Sequence, residues 1–298
     1  MRVLVTGATG FVGSRLVSRL ADGEHSVRAL VRDPSRYEGP DGVDVYEGDV
    51  LEPETLDPAL EGVDAAFYLI HAMDAPGEFA DRDRRMATTF AEAVDRAGVE
   101  RVLYLGGLGA EGADLSEHLR SRREVERVLG ESAAELTVLR AAIIVGAGSA
   151  SFQIVIQLAS RLPLMITPAW VRTPCQPIAI EDVLAYLEGA LAHPETAGET
   201  YEIGGPDVLT YQEMLRRTAD LLDRRLVIVP VPVLTPRLSA YWVDLVTDVP
   251  ASIAHPLIEG LKNPVVVSDH RIEDVIPLDR TPFEEAARSA VRDWREER

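Results

Sequence analysis

Two polar residues one helical turn apart, His118 and Arg122, have the types and spacing to act on a bound ligand. The apolar periodicity over 116–129 predicts a helix, and at about 100° per residue both side chains fall on its inward, apolar stripe. Histidine can donate a proton near neutral pH, whereas arginine stays protonated and can hold a ribose, a phosphate or a carboxylate. We therefore expect both to contact a cofactor or substrate, the alternative being a structural ion pair with Asp114 or Glu126.

A glycine-rich stretch earlier in the chain has the chemistry to bind a phosphate. Gly7, Gly10 and Gly13 separate a predicted buried strand, 2–5, from a predicted helix, 11–21. A sharp strand-to-helix turn leaves N–H groups free at the helix N-terminus, where the helix dipole also favours an anion. Gly7 permits the turn, Gly10 lets a pyrophosphate approach the backbone, and Gly13 lets the helix lie close to the strand. The pattern predicts dinucleotide binding, with candidate contacts at Gly7, Thr9, Gly10, Phe11, Val12 and Gly13.

The tip of the second predicted strand, 26–31, should face the ribose of the adenosine and so select the cofactor. An acid there would accept a hydrogen bond from a ribose 2′-hydroxyl, whereas arginine would pair with a 2′-phosphate. Arg32 comes first and Arg36 follows one turn later, while Asp33 lies between them. The residues favour NADP(H) over NAD(H); the alternatives are NAD(H) held by Asp33 and a solvated loop of mixed charge.

A fourth predicted strand, 65–70, is apolar throughout, as a central parallel strand should be. In an open α/β sheet, ligands bind beyond the carboxyl ends of the strands. Ile70, His71 and Met73 are therefore expected near the phosphates and the nicotinamide ribose, His71 being otherwise a hydrogen-bonded loop residue.

Four segments together resemble one protein family. They are Thr6–Gly13, Tyr68–Met73, Leu119–Val125 and Gln176–Val183. The first resembles the fingerprint of the extended and atypical short-chain dehydrogenases/reductases. The others are similar to the NmrA-like NAD(P)H-binding branch, which is related to the NAD(P)H-binding accessory subunit of respiratory complex I. The resemblance covers nearly the whole chain.

The resemblance also implies roles for residues at three further strand ends. Asp49 and Val50 would line the adenine pocket, although Asp49 could instead cap a helix that begins near Pro53. Gly106 and Gly107 stand where standard members carry a serine, and would leave room for cofactor or substrate. The backbone from Ala141 to Ile144, with Ala141 and Ile143 as the named contacts, would lie against the nicotinamide carboxamide.

The catalytic tyrosine and lysine of standard members are replaced by His118 and Arg122 in this register. The preferred function is an oxidoreductase that transfers hydride between NADP(H) and a small apolar carbonyl- or quinone-like substrate, with His118 and Arg122 as catalytic residues. The missing serine, tyrosine and lysine leave a non-catalytic redox sensor or a complex I-like accessory subunit as the alternative. A nucleotide-sugar epimerase would need the tyrosine–lysine pair and is a weaker alternative.

The substrate wall is expected from two regions. Residues 151–178 form a proline-rich stretch without a clear period, in which Phe152, Trp170 and Gln176 are candidate substrate contacts. Residues 236–246 have the apolar spacing of an amphipathic helix carrying Tyr241 and Trp242. That helix could pack on its own lobe, roof the cleft or meet a partner; we favour the roof.

The predicted fold is α/β, a Rossmann-like doubly wound parallel sheet with a smaller C-terminal α+β substrate lobe. Residues 1–150 form the NAD(P)-binding domain, completed by 177–205. Residues 206–298 form the substrate lobe, and 151–176 contribute to the cleft between the two.

The composition limits the partners. The net charge is −19 over 298 residues, and 29 of the 30 basic residues are arginine. Such an acidic chain repels nucleic acid and anionic membrane, and together with scarce lysine it suggests a halophilic, high-salt cytosol; ordinary acidity in a GC-rich genome is the alternative.

One cysteine, an absent apolar leader and histidines without metal-site spacing predict a cytoplasmic protein without a metal centre or membrane insertion. We expect a monomer or homodimer that binds a small molecule, and in the accessory-subunit case a protein partner.

Overall fold

A computed structural model describes residues 1–72, 79–109, 115–231, 246–261 and 263–296. Its centre is a parallel sheet of seven strands in the order β11–β6–β5–β4–β1–β2–β3. The strands are β1 (Arg2–Thr6), β2 (Ser26–Val31), β3 (Asp44–Glu47), β4 (Ala65–Tyr68), β5 (Arg101–Gly107), β6 (Glu135–Ala141) and β11 (Thr200–Ile203). The predicted Rossmann-like α/β class is therefore confirmed.

Helices cover both faces of this sheet. One face packs against α1 and α6, and the other packs against α2, α3 and α4. The helices along the described chain are α1 (Phe11–Ala21), α2 (Pro53–Leu60), α3 (Phe79–Ala97), α4 (Glu117–Leu129), α5 (Ala150–Arg161), α6 (Ile180–Ala192), α7 (Tyr211–Leu221), α8 (Ala251–Gly260), α9 (Arg271–Val275) and α10 (Phe283–Glu296). Short 3₁₀ turns occur at Pro34–Arg36, Ala169–Arg172 and Pro194–Thr196.

Strand β4 ends two residues earlier than the sequence predicted, because a side chain takes the place of the main-chain hydrogen bonds that would continue the pairing with β1. The Thr6 hydroxyl donates to the Phe67 carbonyl at 3.0 Å and accepts from the Leu69 N–H at 3.1 Å. The chain after Tyr68 is thus held against the end of β1 and turns over the carboxyl edge of the sheet. This places Ile70 and His71 beside the glycine-rich turn.

The expectation that 151–178 lacks regular structure is wrong. Ser149 accepts from the Phe152 N–H at 3.4 Å and begins α5, a helix of 12 residues. Strand β8 (Leu164–Pro168) follows and pairs in parallel with β13 (Val227–Val231). Seven residues of α5 are buried around most of its circumference, which hides the one-sided apolar period by which a surface helix is recognised.

The remaining elements form a second cluster around α5, α7, α8 and α10. Short strand pairs join β7 (Ile144–Val145) to β10 (Ile178–Ala179) and β9 (Pro174–Cys175) to β12 (Leu209–Thr210). Because β11 pairs with β6, the chain leaves this cluster after α5, returns to the main sheet at β11, and enters the cluster again at α7. The proposed division into a cofactor domain and a substrate lobe, with the boundaries given above, stays a prediction.

Two further expectations concern segments near this cluster. The predicted helix over 236–246 lies almost entirely outside the described residues. In the described part of the chain, no helix combines the length and apolar character needed to cross a membrane.

Candidate functional site

The glycine-rich turn has the close backbone approach that its sequence predicts. Gly7 has a φ of +67°, which favours glycine. A Cβ on Gly13 would stand 2.2 Å from the Gly7 carbonyl oxygen, so no larger residue fits there without a backbone shift. The N–H of Gly10 donates to the same Gly7 carbonyl at 2.8 Å and closes the turn.

The first turn of α1 is left open toward this edge of the sheet. Gly10 is the N-cap residue, and no side chain caps the helix there. The helix therefore begins with backbone donors that no capping side chain satisfies. Free N–H groups, the helix dipole and a glycine backbone suit a phosphate group, so the residues fit the pyrophosphate of a dinucleotide.

A cavity of about 120 Å³, here called the small cavity, lies on one side of the turn where β1, β2, β3 and β4 end. Arg32 lines it, whereas Arg36 does not. The Asp33 carboxylate instead accepts from the Ser35 N–H at 3.0 Å and the Ser35 hydroxyl at 2.6 Å. The lining residues are Thr6, Gly7, Thr9, Leu30, Val31, Arg32, Gly48, Asp49, Val50, Ile70, His71, Ala72, Arg82 and Met86.

Asp49 lines the small cavity but does not cap α2. Its Oδ1 accepts from the Leu51 N–H at 2.9 Å, and its own N–H donates to the Thr55 hydroxyl at 3.1 Å. The N-cap residue of α2 is Glu52. The carboxylate is therefore fixed in a turn at the cavity wall, and the capping alternative is wrong.

A cavity of about 520 Å³, the large cavity, lies on the other side of the turn. Ile70 and His71 line both cavities, so the two meet at the end of β4. From the cofactor and catalytic candidates, the large cavity brings together Gly10, Phe11, Val12, Gly13, Ile70, His71, Gly106, Gly107, His118, Arg122, Ala141 and Ile143. Most of its other lining is aliphatic, and α5 and α8 contribute Ile154, Val155, Ile253, Leu257 and Ile258 to it.

Arg122 is a buried cation at the wall of the large cavity, with 8% of its surface exposed. Its backbone carbonyl lies 3.4 Å from the Tyr104 hydroxyl. Glu126, one of the two acids considered as ion-pair partners, binds Arg123 and Arg140 instead. Asp114, the other, lies outside the described residues, and within those residues no carboxylate pairs with Arg122.

The surroundings of His118 favour its neutral form. Crowding by protein atoms lowers the pKa of His118 to about 3, and the Arg122 cation and His71 add to the effect. The same desolvation and the same cation lower the pKa of His71, although its side chain reaches solvent at the cavity. The lowered pKa of His118 disfavours its imidazolium form near pH 7, so a role as a proton donor in that form is less favourable than the sequence alone indicates.

Asp83 is a buried acid that the sequence analysis missed. It has 1% of its surface exposed and lies on the buried face of α3 with Met86 and Phe90. An acid three residues before Met86, on that apolar stripe, is the signal that could have identified it. Asp83 holds the backbone after His71 and the hydroxyl beside Arg122, so it supports both walls of the large cavity.

Two proposed substrate contacts lie elsewhere. Phe152 is fully buried and packs edge-on against Phe283 with ring centroids 6.1 Å apart. The Gln176 amide donates to the Gly205 carbonyl at 2.7 Å and accepts from the Val267 N–H at 3.0 Å. Neither lines the large cavity, because Phe152 lies on the core-facing side of α5 and the Gln176 side chain is hydrogen-bonded to backbone groups. Met73, Tyr241, Trp242 and the side chain of Trp170 lie outside the described part of the chain.

Two other features of the structure, a buried thiol and a charged groove, lie outside this site. The lone Cys175 is fully buried, and burial raises the pKa of its thiol to about 11, as a buried apolar residue requires. A groove of about 640 Å³ between α7 and α10 carries side chains of both charges and lies away from the strand ends. Neither extends the site.

Comparisons with known proteins give the family and the fold. Residues 7–160 match the model of a family described as NAD(P)H-binding. A (4-alkanoyl-5-oxo-2,5-dihydrofuran-3-yl)methyl phosphate reductase of Streptomyces griseus is 30% identical over 226 residues, which are 75% of each chain. The mitochondrial NADH dehydrogenase (ubiquinone) 1 alpha subcomplex subunit 9 of Arabidopsis thaliana is 27% identical, over 92% of this chain and 73% of the relative.

Solved structures share the fold at lower identity. An NADPH-dependent quinone oxidoreductase of Escherichia coli, complexed with NADPH, superposes with a TM-score of 0.78 at 20% identity. The match covers 96% of this chain and 98% of that one. At this identity the likeness is one of fold.

Proposed function

Because this chain belongs to the NAD(P)H-binding family, we propose that it is an NADP(H)-dependent oxidoreductase. Its substrate is a small apolar carbonyl- or quinone-like molecule. The observation that carries the proposal is the placement of His118 and the buried, carboxylate-free Arg122 in an aliphatic cavity next to the glycine-rich turn. A nicotinamide cofactor bound there supplies or takes up the hydride.

The cofactor is held by the carboxyl edge of the sheet. The turn from Gly7 to Gly13 receives the pyrophosphate on backbone N–H groups, and the small cavity receives the adenosine. Asp49 and Val50 border the adenine, while Gly106, Gly107, Ala141 and Ile143 border the nicotinamide end.

NADP(H) is preferred over NAD(H) because of two neighbouring residues. Arg32 lines the small cavity and forms no ion pair with a described residue. Asp33, the acid that would hold a ribose 2′-hydroxyl, is occupied by Ser35. A free guanidinium beside an occupied carboxylate suits a 2′-phosphate. Arg36 stays a second candidate, although it does not line the small cavity.

His118 acts as a neutral hydrogen-bond donor. Its Nδ1 is buried without a hydrogen-bond partner among the described residues, and an orphaned buried N–H is less tolerable than an orphaned acceptor. We therefore assign the proton to Nε2, where it can donate to a substrate oxygen in the large cavity. Arg122 adds a fixed positive charge that stabilises negative charge developing on that oxygen, in surroundings where water screens it little.

The walls of the large cavity select the substrate. Aliphatic side chains from α5 and α8 favour an apolar body, while the polar groups sit at the cofactor end. A substrate with one reactive oxygen and an apolar remainder fits this distribution. Tyr211, which also lines the large cavity, shares a hydrogen bond with Cys175.

The test is oxidation of NADPH by a panel of quinones and aldehydes. His118→Ala and Arg122→Met should lower kcat while NADPH still binds. Arg127→Ala is the control on the same helix, because Arg127 is exposed and pairs with Glu124 and Glu131. Turnover that is unchanged in both site variants would remove the two residues from the mechanism.

A non-catalytic NAD(P)H sensor or accessory subunit is the second candidate. It is favoured by glycine at 106 and 107 and by histidine and arginine in place of the tyrosine–lysine pair, and it agrees with the likeness to a complex I subunit. NADPH binding without turnover of any acceptor would favour it. The epimerase alternative is weaker, because that reaction needs the tyrosine as acid and base.

A further inference from the structure

Arg82 is a cation at the small cavity to which sequence patterns gave no role. It lies in the first turn of α3 and lines that cavity together with Met86, one helical turn further on. Helix α3 follows a parallel strand and runs back along the sheet, so its first turn lies at the carboxyl edge. Helical side chains also lean toward the helix N-terminus, which directs Arg82 toward the ligand edge.

The guanidinium of Arg82 is available for a ligand. The side chain is half-buried, and it forms no hydrogen bond or ion pair with any described residue. By contrast, Arg84 on the same turn lies 3.5 Å from Asp81. The chain has a net charge of −19, so acidic partners are plentiful. An arginine at a cavity wall that pairs with none of the described acids therefore points to a ligand at that wall.

The rest of the small cavity, here also called the slot, has a largely apolar wall with one acidic group. Its apolar wall comes from Leu30, Val31, Val50, Ile70 and Met86. A volume of about 120 Å³ equals that of about four water molecules. The Asp49 carboxylate gives the slot one acceptor at its edge.

We propose that Arg82 binds the adenine ring by laying its guanidinium on the ring face. Guanidinium groups stack on aromatic faces and on nucleobases. Arg32 lies just after β2, whereas Arg82 comes from α3, one helical turn before Met86. The inference rests on the proposed function and assigns the two arginines different tasks: Arg32 reads the 2′-phosphate, and Arg82 reads the base common to both cofactors.

The experiment measures Kd for NADPH and NADH by calorimetry on the full chain. Arg82→Ala should weaken both cofactors by a similar factor of about 5 to 30, whereas Arg32→Ala should weaken NADPH alone. Arg82→Lys should recover little, because an ammonium lacks the planar face. Arg85→Ala is the matched control, since Arg85 is exposed on the same helix and does not line the cavity.

Reduced nicotinamide mononucleotide, which lacks the adenosine, serves as the second probe. Its affinity should be the same in Arg82→Ala and the unmodified protein. A loss confined to NADPH would overturn the inference and make Arg82 a phosphate ligand, and unchanged Kd values for both dinucleotides would remove it from the site. An unmodified protein that binds neither dinucleotide would overturn the proposed function itself.

Discussion

The carboxylate of Asp83 accepts a hydrogen bond from the Ser121 hydroxyl at 2.8 Å. Its other oxygen accepts from the Ala72 N–H at 2.7 Å. Asp83 and Ser121 are both buried, with 1% and 3% of their surfaces exposed. A single side chain of α3 thus joins the end of β4 to the helix that carries His118 and Arg122.

Asp83→Ala should destabilise the fold strongly. It removes a buried charged acceptor and leaves the Ala72 N–H and the Ser121 hydroxyl without their partner, which costs about 3–5 kcal/mol. Ser121→Ala removes a single donor and should cost about 1–3 kcal/mol. Urea unfolding curves give both values, and a stability change below about 0.5 kcal/mol in Asp83→Ala would contradict this account.

Gly13→Ala should damage both stability and cofactor binding. The new Cβ would stand 2.2 Å from the Gly7 carbonyl oxygen and force α1 away from the turn, at a cost of about 1–3 kcal/mol. Calorimetry with NADPH should show a large loss of affinity. Gly23→Ala is the control, because a Cβ there meets ordinary contacts at 3.5 Å or more; equal behaviour of the two variants would argue against the close approach.

The histidines should make the protein sensitive to acid. The folded-state pKa of His118 is lowered to about 3, below the value of about 6.5 expected for the unfolded chain. Between about pH 6.5 and the folded pKa, the unfolded state binds more protons than the folded state does. The stability that neutral His118 contributes is therefore complete above about pH 6.5 and is lost as the pH falls toward the folded pKa.

His118→Gln isolates this contribution from that of the carboxylates. Urea midpoints measured from pH 8 to pH 4 should fall less steeply in the variant than in the unmodified protein. Parallel curves would show that His118 titrates normally. In the same pH range, the profile of kcat/KM for NADPH oxidation, which reports groups of the free protein, should show no inflection from His118.

Salt should stabilise the chain if its acidity is an adaptation to a high-salt cytosol. The net charge of −19 repels itself in dilute buffer, and counterions screen that repulsion. The melting temperature is expected to rise between dilute and molar KCl. No gain over that range would end the halophilic interpretation.

The sequence by itself determined the elements that depend on local pattern. The strand–glycine–helix turn could be identified because the φ of Gly7 favours glycine and the contact at Gly13 leaves no room for a Cβ. The limits of α1 and β2 follow from one-sided and from continuous apolar patterns, and the structure confirms them. The same kind of pattern predicted a helix over 116–129 with His118 and Arg122 on one face, and the structure has α4 at Glu117–Leu129 with Ser116 as its N-cap.

Only the tertiary structure decided which side chains reach the cavities. Phe152 and Gln176 are residue types that suit a substrate wall, but Phe152 packs in the core and Gln176 binds backbone groups. The sequence analysis assigned no role to Arg82, Asp83 or Tyr211. Burial of α5 on most sides removed its amphipathic period. The neutral state of His118 depends on desolvation and on Arg122 together. These properties arise from contacts between segments far apart in the chain, which a local pattern does not encode.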